Sequence, residues 1–119
     1  TPLPDVDIAL IDISGDDLPA VELNAALPAA GDSVVFIGNP LGFDWTISTG
    51  SVLGLADLGG LPVIVLEGPV RPGSSGSPLF NSQAEVIGVI FATLRDVEDS
   101  GLAIPISYLI NYLEESYEQ

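Results

Sequence analysis

The chain contains no cysteine, no histidine and no lysine. Without cysteine there can be no disulfide, no thiolate chemistry and no Cys-based zinc site. No apolar run approaches the roughly 18 residues that a membrane-spanning helix needs, so we expect no insertion into a membrane. No charged-then-apolar segment at the beginning of the sequence reads as a signal peptide.

Positive charge is nearly absent. The chain has seventeen acidic residues and only two basic ones, Arg71 and Arg95, which gives a formal net charge of −15. Such a chain offers no cationic patch to replace the counterions of a phosphate backbone, which argues against nucleic acid as a partner and equally against anionic membranes. The acidity suits high salt, which screens self-repulsion, or an acidic medium, which titrates it away.

The spacing of apolar and turn residues predicts an all-β protein. With 119 residues the chain is one domain at most, or part of one, and its 47% apolar content is enough to bury a core. Short apolar or alternating runs, separated by Gly, Pro, Asn and Asp, predict six strands, at residues 33–38, 45–55, 61–66, 78–80, 85–94 and 102–106. That number and spacing favour an antiparallel barrel or sandwich over α/β layering.

The two ends of the chain differ from this pattern. Residues 5–13 are rich in β-branched side chains and predict a further strand, and residues 15–31 form a linker without sustained periodicity. Ser107 is a suitable N-cap, and apolar residues recur at three- and four-residue steps after it. The end of the chain is therefore predicted to be an amphipathic helix over residues 107–118.

Residues 71–80, called the serine loop from here on, are the stretch best suited to form a catalytic site. They hold three serines, Ser74, Ser75 and Ser77, and two glycines, Gly73 and Gly76. Such a stretch can be a plain surface turn, but it can also bend sharply, gather backbone N–H groups and expose a hydroxyl. A nucleophile elbow is excluded because Ser77 stands where the second glycine is needed and a strand follows; a P-loop is excluded because the chain has no lysine.

The remaining possibility is a resemblance that extends over most of the chain. Residues 72–79, Pro-Gly-Ser-Ser-Gly-Ser-Pro-Leu, resemble the Gly-x-Ser-Gly-Gly/Ser-Pro signature of trypsin-like serine proteases. Further segments, in the order of that family, resemble HtrA/DegP-type members: residues 7–11, 31–42, 46–53, 85–90 and 101–106. The resemblance implies that residues 1–14 hold the last strand, with the triad aspartate, of an N-terminal barrel that is otherwise missing. It further implies a linker over residues 15–31 and a second, six-stranded antiparallel β-barrel with its C-terminal helix over residues 32–119.

Carried over residue by residue, the resemblance implies that Ser75 is the nucleophile and that Asp7 orients the catalytic imidazole. The backbone N–H groups of Gly73 and Ser75 would form the oxyanion hole. The substrate-binding residues would flank the primary specificity pocket on both sides of the serine loop, namely Val70, Arg71, Ile90, Phe91, Ala92 and Thr93. The wall of this pocket is mainly apolar and carries no acid at its obvious positions, which favours a small or medium apolar side chain on the acyl side of the scissile bond.

The resemblance also implies a histidine that this sequence does not contain. Ser75 therefore has no base within the chain, and a lone serine hydroxyl is a weak nucleophile. In one interpretation the chain is the C-terminal part of a serine endopeptidase, inactive alone, whose His-bearing barrel lies elsewhere. In the alternative it is a non-catalytic barrel that binds extended peptides or a protein partner.

The expected partners follow from these two interpretations. They are a polypeptide substrate and either the missing barrel or a second copy of the chain, packed on the apolar face that lacks a cover. No cofactor or metal is expected: Asp96, Glu98 and Asp99 could clasp Ca²⁺, but a solvated charged loop explains them as well. By family analogy the location is extracytoplasmic, either periplasmic or secreted.

Overall fold

The computed structural model describes residues 8–38, 46–70, 74–94 and 99–117, with the backbone alone for residues 116 and 117. Six strands and one helix follow one another in these residues. They are β1 (Ser33–Gly38), β2 (Thr46–Leu58), β3 (Leu61–Glu67), β4 (Pro78–Phe80), β5 (Val86–Thr93), β6 (Ser100–Pro105) and α1 (Ser107–Tyr117).

The strands form one closed antiparallel barrel in the order β1-β2-β3-β6-β5-β4. β1 closes it by pairing with β2 on one side and with β4 on the other. Closure satisfies the backbone hydrogen bonds that an open sheet would leave unpaired at its two edges. The predicted all-β fold, a six-stranded antiparallel barrel with a C-terminal helix, is confirmed.

Burial alternates along β1, whose side chains point by turns into and out of the barrel, whereas β5 and β6 contain runs of consecutive buried residues. In β1, Val34 and Phe36 are buried while Val35 and Ile37 are half-buried on the outer face. The barrel interior is filled by large apolar side chains with less than 2% of their surface exposed, among them Phe36, Ile64, Leu66, Leu79 and Ile90. Because a one-residue slip would turn every such side chain outward, this pattern fixes the register of the strands.

Strand boundaries follow the prediction where turn residues mark them and depart from it where pairing extends a strand. β1 and β4 have the predicted limits. β2 continues to Leu58 because Leu58 pairs with Leu61 across the turn at residues 59–60. β6 begins at Ser100, two residues earlier than predicted, because Ser100 and Gly101 pair with β3 and extend the ladder.

The segment before β1 contains no strand in the part that the structure describes, residues 8–32. Of the strand expected over residues 5–13, the described residues 8–13 show a single bridge at Ala9 and no ladder. The expectation that this segment completes a barrel from outside the chain stays a prediction. A strand needs a continuous ladder, and the barrel is closed without this segment. The division of the chain into residues 1–14, 15–31 and 32–119 stays a prediction.

The linker, residues 15–31, is attached to the barrel near its middle. Leu23 bridges Val86 in parallel: Asn24 N–H donates to the Val86 carbonyl (3.0 Å) and Val86 N–H donates to the Glu22 carbonyl (2.8 Å). The side-chain amides of Asn81 and Asn24 donate to the same Glu85 oxygen, at 3.0 and 3.1 Å. These two hydrogen bonds, that of Asn81 first, lower the pKa of the Glu85 carboxyl.

Helix α1 matches the prediction over the residues described, and its apolar side chains Leu109, Ile110 and Leu113 are half-buried. Ile106, immediately before the helix, is 2% exposed and accepts the hydrogen bond of Ile110 N–H at 3.0 Å. The Tyr108 hydroxyl donates to the Pro62 carbonyl at 3.5 Å, which ties the helix to the start of β3. Within the described residues, no helix has the length and apolar character needed to cross a bilayer.

Candidate active site

Ser75 lies at the tip of the tight turn that leads into β4. The turn is closed by a hydrogen bond from Ser77 N–H to the Ser74 carbonyl at 3.0 Å. Gly76, the residue after Ser75, has φ +88°, a backbone conformation that glycine adopts far more readily than a residue with a side chain. The glycine that follows Ser75 is therefore required by the bend that places Ser75 at the tip.

The turn is attached to β5 on its other side. Gly76 N–H donates to the Ile90 carbonyl (2.7 Å), and Ile90 N–H donates to the Ser77 carbonyl (3.0 Å). These two bonds continue the β4–β5 ladder beyond its last strand pair, Pro78 with Val89. The position of Ser75 is thus set by the barrel, and not by the loop sequence alone.

The three serines of the loop differ in exposure. Ser74 and Ser77 are buried, with 2% and 7% of their surface exposed, whereas Ser75 is exposed. The Ser75 hydroxyl lies 3.4 Å from the Phe91 carbonyl oxygen, a long hydrogen bond that holds it over the end of β5. Ser75 is therefore the loop serine placed to meet a molecule from solvent.

Next to Ser75, the β4 side of β5 has no strand partner among the described residues. Residues 92 and 93 pair with β6, while Phe91 is an extra residue in a β-bulge that separates the pairs of Ile90 and Ala92. On the β4 side, no described strand pairs with β5 beyond Val89. An open strand edge beside an exposed hydroxyl can bind an extended peptide by backbone hydrogen bonds, and bulges are frequent beside active sites.

The other residues predicted to bind substrate divide into two groups. Phe91 and Ala92 are half-buried and Thr93 is exposed, so all three border the open edge. Val70 and Ile90 are only 4% and 1% exposed and belong to the barrel core. The role of Val70 and Ile90 in binding substrate stays a prediction.

Three predicted site residues, Asp7, Arg71 and Gly73, lie outside the described residues, as do Asp96 and Glu98. Their roles stay predictions, and so do the roles of Ser75 as nucleophile and as oxyanion-hole donor. The described residues contain no group of three or more acidic side chains able to hold a metal ion. Within the described residues, the candidate site therefore consists of the Ser75 hydroxyl, the turn at residues 74–77 and the edge of β5.

Two concave surfaces lie away from Ser75. A cavity of about 450 Å³ separates the linker from the β4–β5 turn, with Asn24, Asp32 and Asn81 in its lining. The polar groups there already serve the turns: Asp32 accepts from Ala29 N–H, and Asn81 accepts from the N–H groups of Gln83 and Glu85. An apolar groove of about 360 Å³ runs over the outer face of β1 and β4, lined by Val35, Ile37 and Phe80.

One residue near the serine loop was not singled out from the sequence. Gly38, at the end of β1, is buried, and a β-carbon built there would lie 3.3 Å from Ser77 Oγ and 3.5 Å from Ser74 Oγ. The available signal was a glycine that ends an apolar strand, which the sequence presents as an ordinary strand terminus. The contact with the loop arises only from the closure of the barrel.

A family model described as the trypsin-like peptidase domain matches residues 1–89, about three-quarters of the chain. The chain belongs to the trypsin-like peptidase family. The match includes β1 to β4, the serine loop and the first half of β5, so it covers the turn that carries Ser75 but stops before the strand edge at residues 91–93. It also agrees with the resemblance to the family that the serine-loop signature carries.

Relatives of the HtrA/DegP type are similar over nearly the whole chain. The putative serine protease HhoB of Synechocystis is 34% identical over 120 residues, which cover 93% of this chain and 29% of that protein. A probable periplasmic serine endoprotease, DegP-like, of Pseudomonas fluorescens is 43% identical over 111 residues, covering 87% of this chain and 23% of the relative. The chain therefore spans less than a third of the length of these curated relatives.

Solved structures agree with the sequence comparisons. The serine endoprotease from Yersinia pestis has a TM-score of 0.72 at 27% identity and covers 87% of this chain and 37% of its own. The HtrA-type protease AlgW with a decapeptide has a TM-score of 0.76 at 25% identity, covering 89% of this chain and 35% of that one. The resemblance to trypsin-like proteases of the HtrA/DegP type is confirmed.

Proposed function

We propose that this chain supplies the nucleophile, the oxyanion hole and the substrate-binding strand of a serine endopeptidase. The observation that carries the proposal is the exposed Ser75 hydroxyl over the open end of β5, with the two neighbouring serines buried. Membership of the trypsin-like family supports the same reaction, the hydrolysis of peptide bonds. The substrate would be a polypeptide bound in extended form along residues 91–93.

In the proposed reaction, Ser75 Oγ attacks the carbonyl carbon of the scissile bond and its proton passes to an imidazole. The backbone N–H groups of Gly73 and Ser75 stabilise the oxyanion of the tetrahedral intermediate. The intermediate collapses to an acyl-enzyme on Ser75, and the leaving amine takes the proton from the imidazolium, which Asp7 orients. Water, activated by the same imidazole, then hydrolyses the ester and restores the serine.

The imidazole has to come from polypeptide outside this chain, because the sequence contains neither histidine nor lysine. A positioned general base contributes typically about 10²–10⁴-fold to such reactions, and an unassisted serine hydroxyl is a poor nucleophile. We therefore propose that the chain alone is inactive and that the parent polypeptide is active.

A fluorophosphonate probe tests this proposal, because it reacts with serines whose hydroxyl is activated by a base. We expect the parent polypeptide, which includes the segment upstream of Thr1, to be labelled at Ser75 at least about 1,000-fold faster than the isolated chain. Mass spectrometry of the labelled peptide identifies the serine. Ser75→Ala should abolish labelling, and Ser82→Ala, at an exposed serine in the β4–β5 turn, should leave it unchanged.

Two outcomes would contradict the proposal. One is labelling of the parent at a serine other than Ser75. The other is an upstream coding sequence without a β-rich segment that carries a histidine at the end of a strand. In either case the resemblance would describe the fold of the chain but not its chemistry.

A second candidate function is peptide binding without catalysis. The complete absence of histidine and lysine favours it, since nothing within the chain can deprotonate Ser75. The same open edge of β5 would then capture an extended peptide as an added strand. This alternative requires the isolated chain to bind extended peptides and requires every form of the protein to remain unlabelled by the fluorophosphonate.

Apolar side chains outside the barrel indicate a further partner. Ile11, Ile13 and Ile47 are 78%, 67% and 70% exposed, and further large apolar residues of the linker and β2 are about half exposed, namely Leu18, Val21, Leu27, Leu53, Leu55 and Leu58. We propose that polypeptide from outside the chain, in first place the His-bearing barrel, covers part of this surface. Without that cover, two copies of the chain would associate through it.

Sedimentation velocity of the isolated chain checks this expectation. At micromolar concentration and in about 0.5 M salt, which reduces charge repulsion between copies, we expect a concentration-dependent shift toward dimers or larger species. Ile47→Asn, a change on the outer face of β2, should weaken the association. A single monomeric species over a hundredfold range of concentration would argue against an uncovered interface.

The location proposed for the parent protein is extracytoplasmic. The support is analogy: a DegP-like relative that is 43% identical is named a periplasmic serine endoprotease. A chain without cysteine is compatible with an oxidising compartment, because it has no thiol to protect.

A further inference from the structure

Gly38 lies directly beside Ser74 and Ser77 of the serine loop. It is the last residue of β1, it is buried, and its φ lies outside the positive range reserved for glycine. Its lack of a side chain is therefore not required by its backbone conformation. A β-carbon at this position would lie 3.3 Å from Ser77 Oγ, 3.5 Å from Ser74 Cα and 3.5 Å from Ser74 Oγ.

We propose that Gly38 is a positioning residue for the Ser75 nucleophile, acting through the buried serines Ser74 and Ser77. The inference rests on the proposed function of Ser75. The two buried serines flank Ser75 and are joined by the hydrogen bond that closes the turn. If either serine is displaced away from β1, the turn therefore changes its orientation and the Ser75 hydroxyl moves with it.

The loop has little freedom to absorb such a displacement elsewhere. On the side facing β5 it is held by the bonds of Gly76 and Ser77 to Ile90, at 2.7 and 3.0 Å. A contact of 3.3 Å is tighter than a carbon and an oxygen ordinarily maintain, so an added methyl group has to push Ser77 by a few tenths of an ångström. Because the turn is hydrogen-bonded to β5 on the opposite side, it cannot move away as a whole, and the displacement of Ser77 shifts Ser75.

The size of the effect follows from how sharply catalysis depends on position. A misplacement of 1 Å can cost about 10²-fold in rate, so a shift of a few tenths of an ångström corresponds to roughly 3- to 10-fold. Gly38→Ala should lower the rate constant of Ser75 inactivation by a fluorophosphonate in the parent polypeptide by that factor. Gly38→Val should lower it further, by about 30-fold or more, because its branches reach deeper into the loop.

The pattern of kinetic constants separates positioning from a general loss of structure. The dissociation constant of the probe should stay within twofold of wild type, because the open edge of β5 is unchanged. Ser77→Gly removes the oxygen that the methyl group would meet. Combined with Gly38→Ala, it should therefore restore at least half of the lost rate. Val63→Ala, at a buried residue of β3 that pairs with Ala56 of β2, serves as a destabilised control whose inactivation rate should not change.

The outcomes distinguish this inference from the proposed function. If the parent with its native Gly38 is not labelled at Ser75, the proposed function fails. If it is labelled and Gly38→Ala reacts at the wild-type rate, the positioning role alone fails. A rate lowered by Gly38→Ala but not recovered by Ser77→Gly would also overturn the inference, because the contact between the two positions would then not carry the effect.

Discussion

Ser75→Cys is expected to react with iodoacetamide at least about 100-fold faster than Ser74→Cys or Ser77→Cys in the folded chain. The side chain at position 75 is exposed, whereas those at positions 74 and 77 are 2% and 7% exposed. A buried thiol reacts only when the loop opens, and a local opening that costs about 3 kcal/mol slows the reaction by more than 100-fold. The chain has no cysteine of its own, so each variant carries a single thiol and no background reaction.

The same measurement in denaturant provides the control. In about 6 M guanidinium chloride the three thiols should react at similar rates, because local structure no longer differs between them. The ratio of the unfolded to the folded rate gives a protection factor for each position. This ratio removes any difference in intrinsic reactivity between the three sites.

Equal protection at positions 74, 75 and 77 would contradict the structure of the loop. The choice of Ser75 as the nucleophile would then lose its geometric support and rest on the sequence signature alone. Because the experiment needs no catalytic base, its result does not depend on whether the chain or its parent is an active peptidase.

Salt should stabilise this protein strongly. We expect an increase from about 0.01 M to 1 M KCl to raise the free energy of unfolding by on the order of 3 kcal/mol, measured by urea denaturation at pH 7. The reason is the net charge of −15, with Arg71 and Arg95 as the only opposing charges. Folding gathers the carboxylates on one small surface, and shortening the Debye length from about 30 Å to about 3 Å removes most of their repulsion.

A variant with fewer charges tests the cause of the salt effect. Asp12, Asp16, Asp17, Glu114 and Glu115 are exposed, and replacing them with the corresponding amides changes the net charge from −15 to −10. We expect the variant to be more stable than wild type at low salt and less sensitive to salt. Part of the gain at Glu114 and Glu115 would come from the C-terminal end of α1, where negative charge is unfavourable.

Sucrose provides a control without charge, since it favours compact states but screens nothing. A salt response no larger than the response to sucrose, or one unchanged by the five substitutions, would show that charge repulsion does not limit stability. The acidic composition would then have to be explained by solubility alone.

Much of the barrel could be predicted because its strands carry local signals. β1 and β4 are bounded by Gly, Pro and Asp. Because β1 is a continuous apolar run, the sequence did not show that Val34 and Phe36 are the residues that face the core. The limits of β2 and β6 were less accurate, because their ends are set by pairing with β3 and not by their own residues. Residues 5–13 have a strand-like composition, yet residues 8–13 form no strand. A strand also needs a neighbouring strand to pair with, and the composition of a segment does not show whether such a neighbour is present.

The sequence by itself determined the fold class, the family signature at residues 72–79 and the lack of histidine and lysine in these 119 residues. These depend on which residues are present and in what order, and no folding is needed to see them. Only the tertiary structure decided that Ser75 is exposed while Ser74 and Ser77 are buried, that β5 is open beside it, and that Gly38 lies under the loop. Each of these observations depends on contacts between residues that are distant in sequence, and these contacts are set by the closure of the barrel.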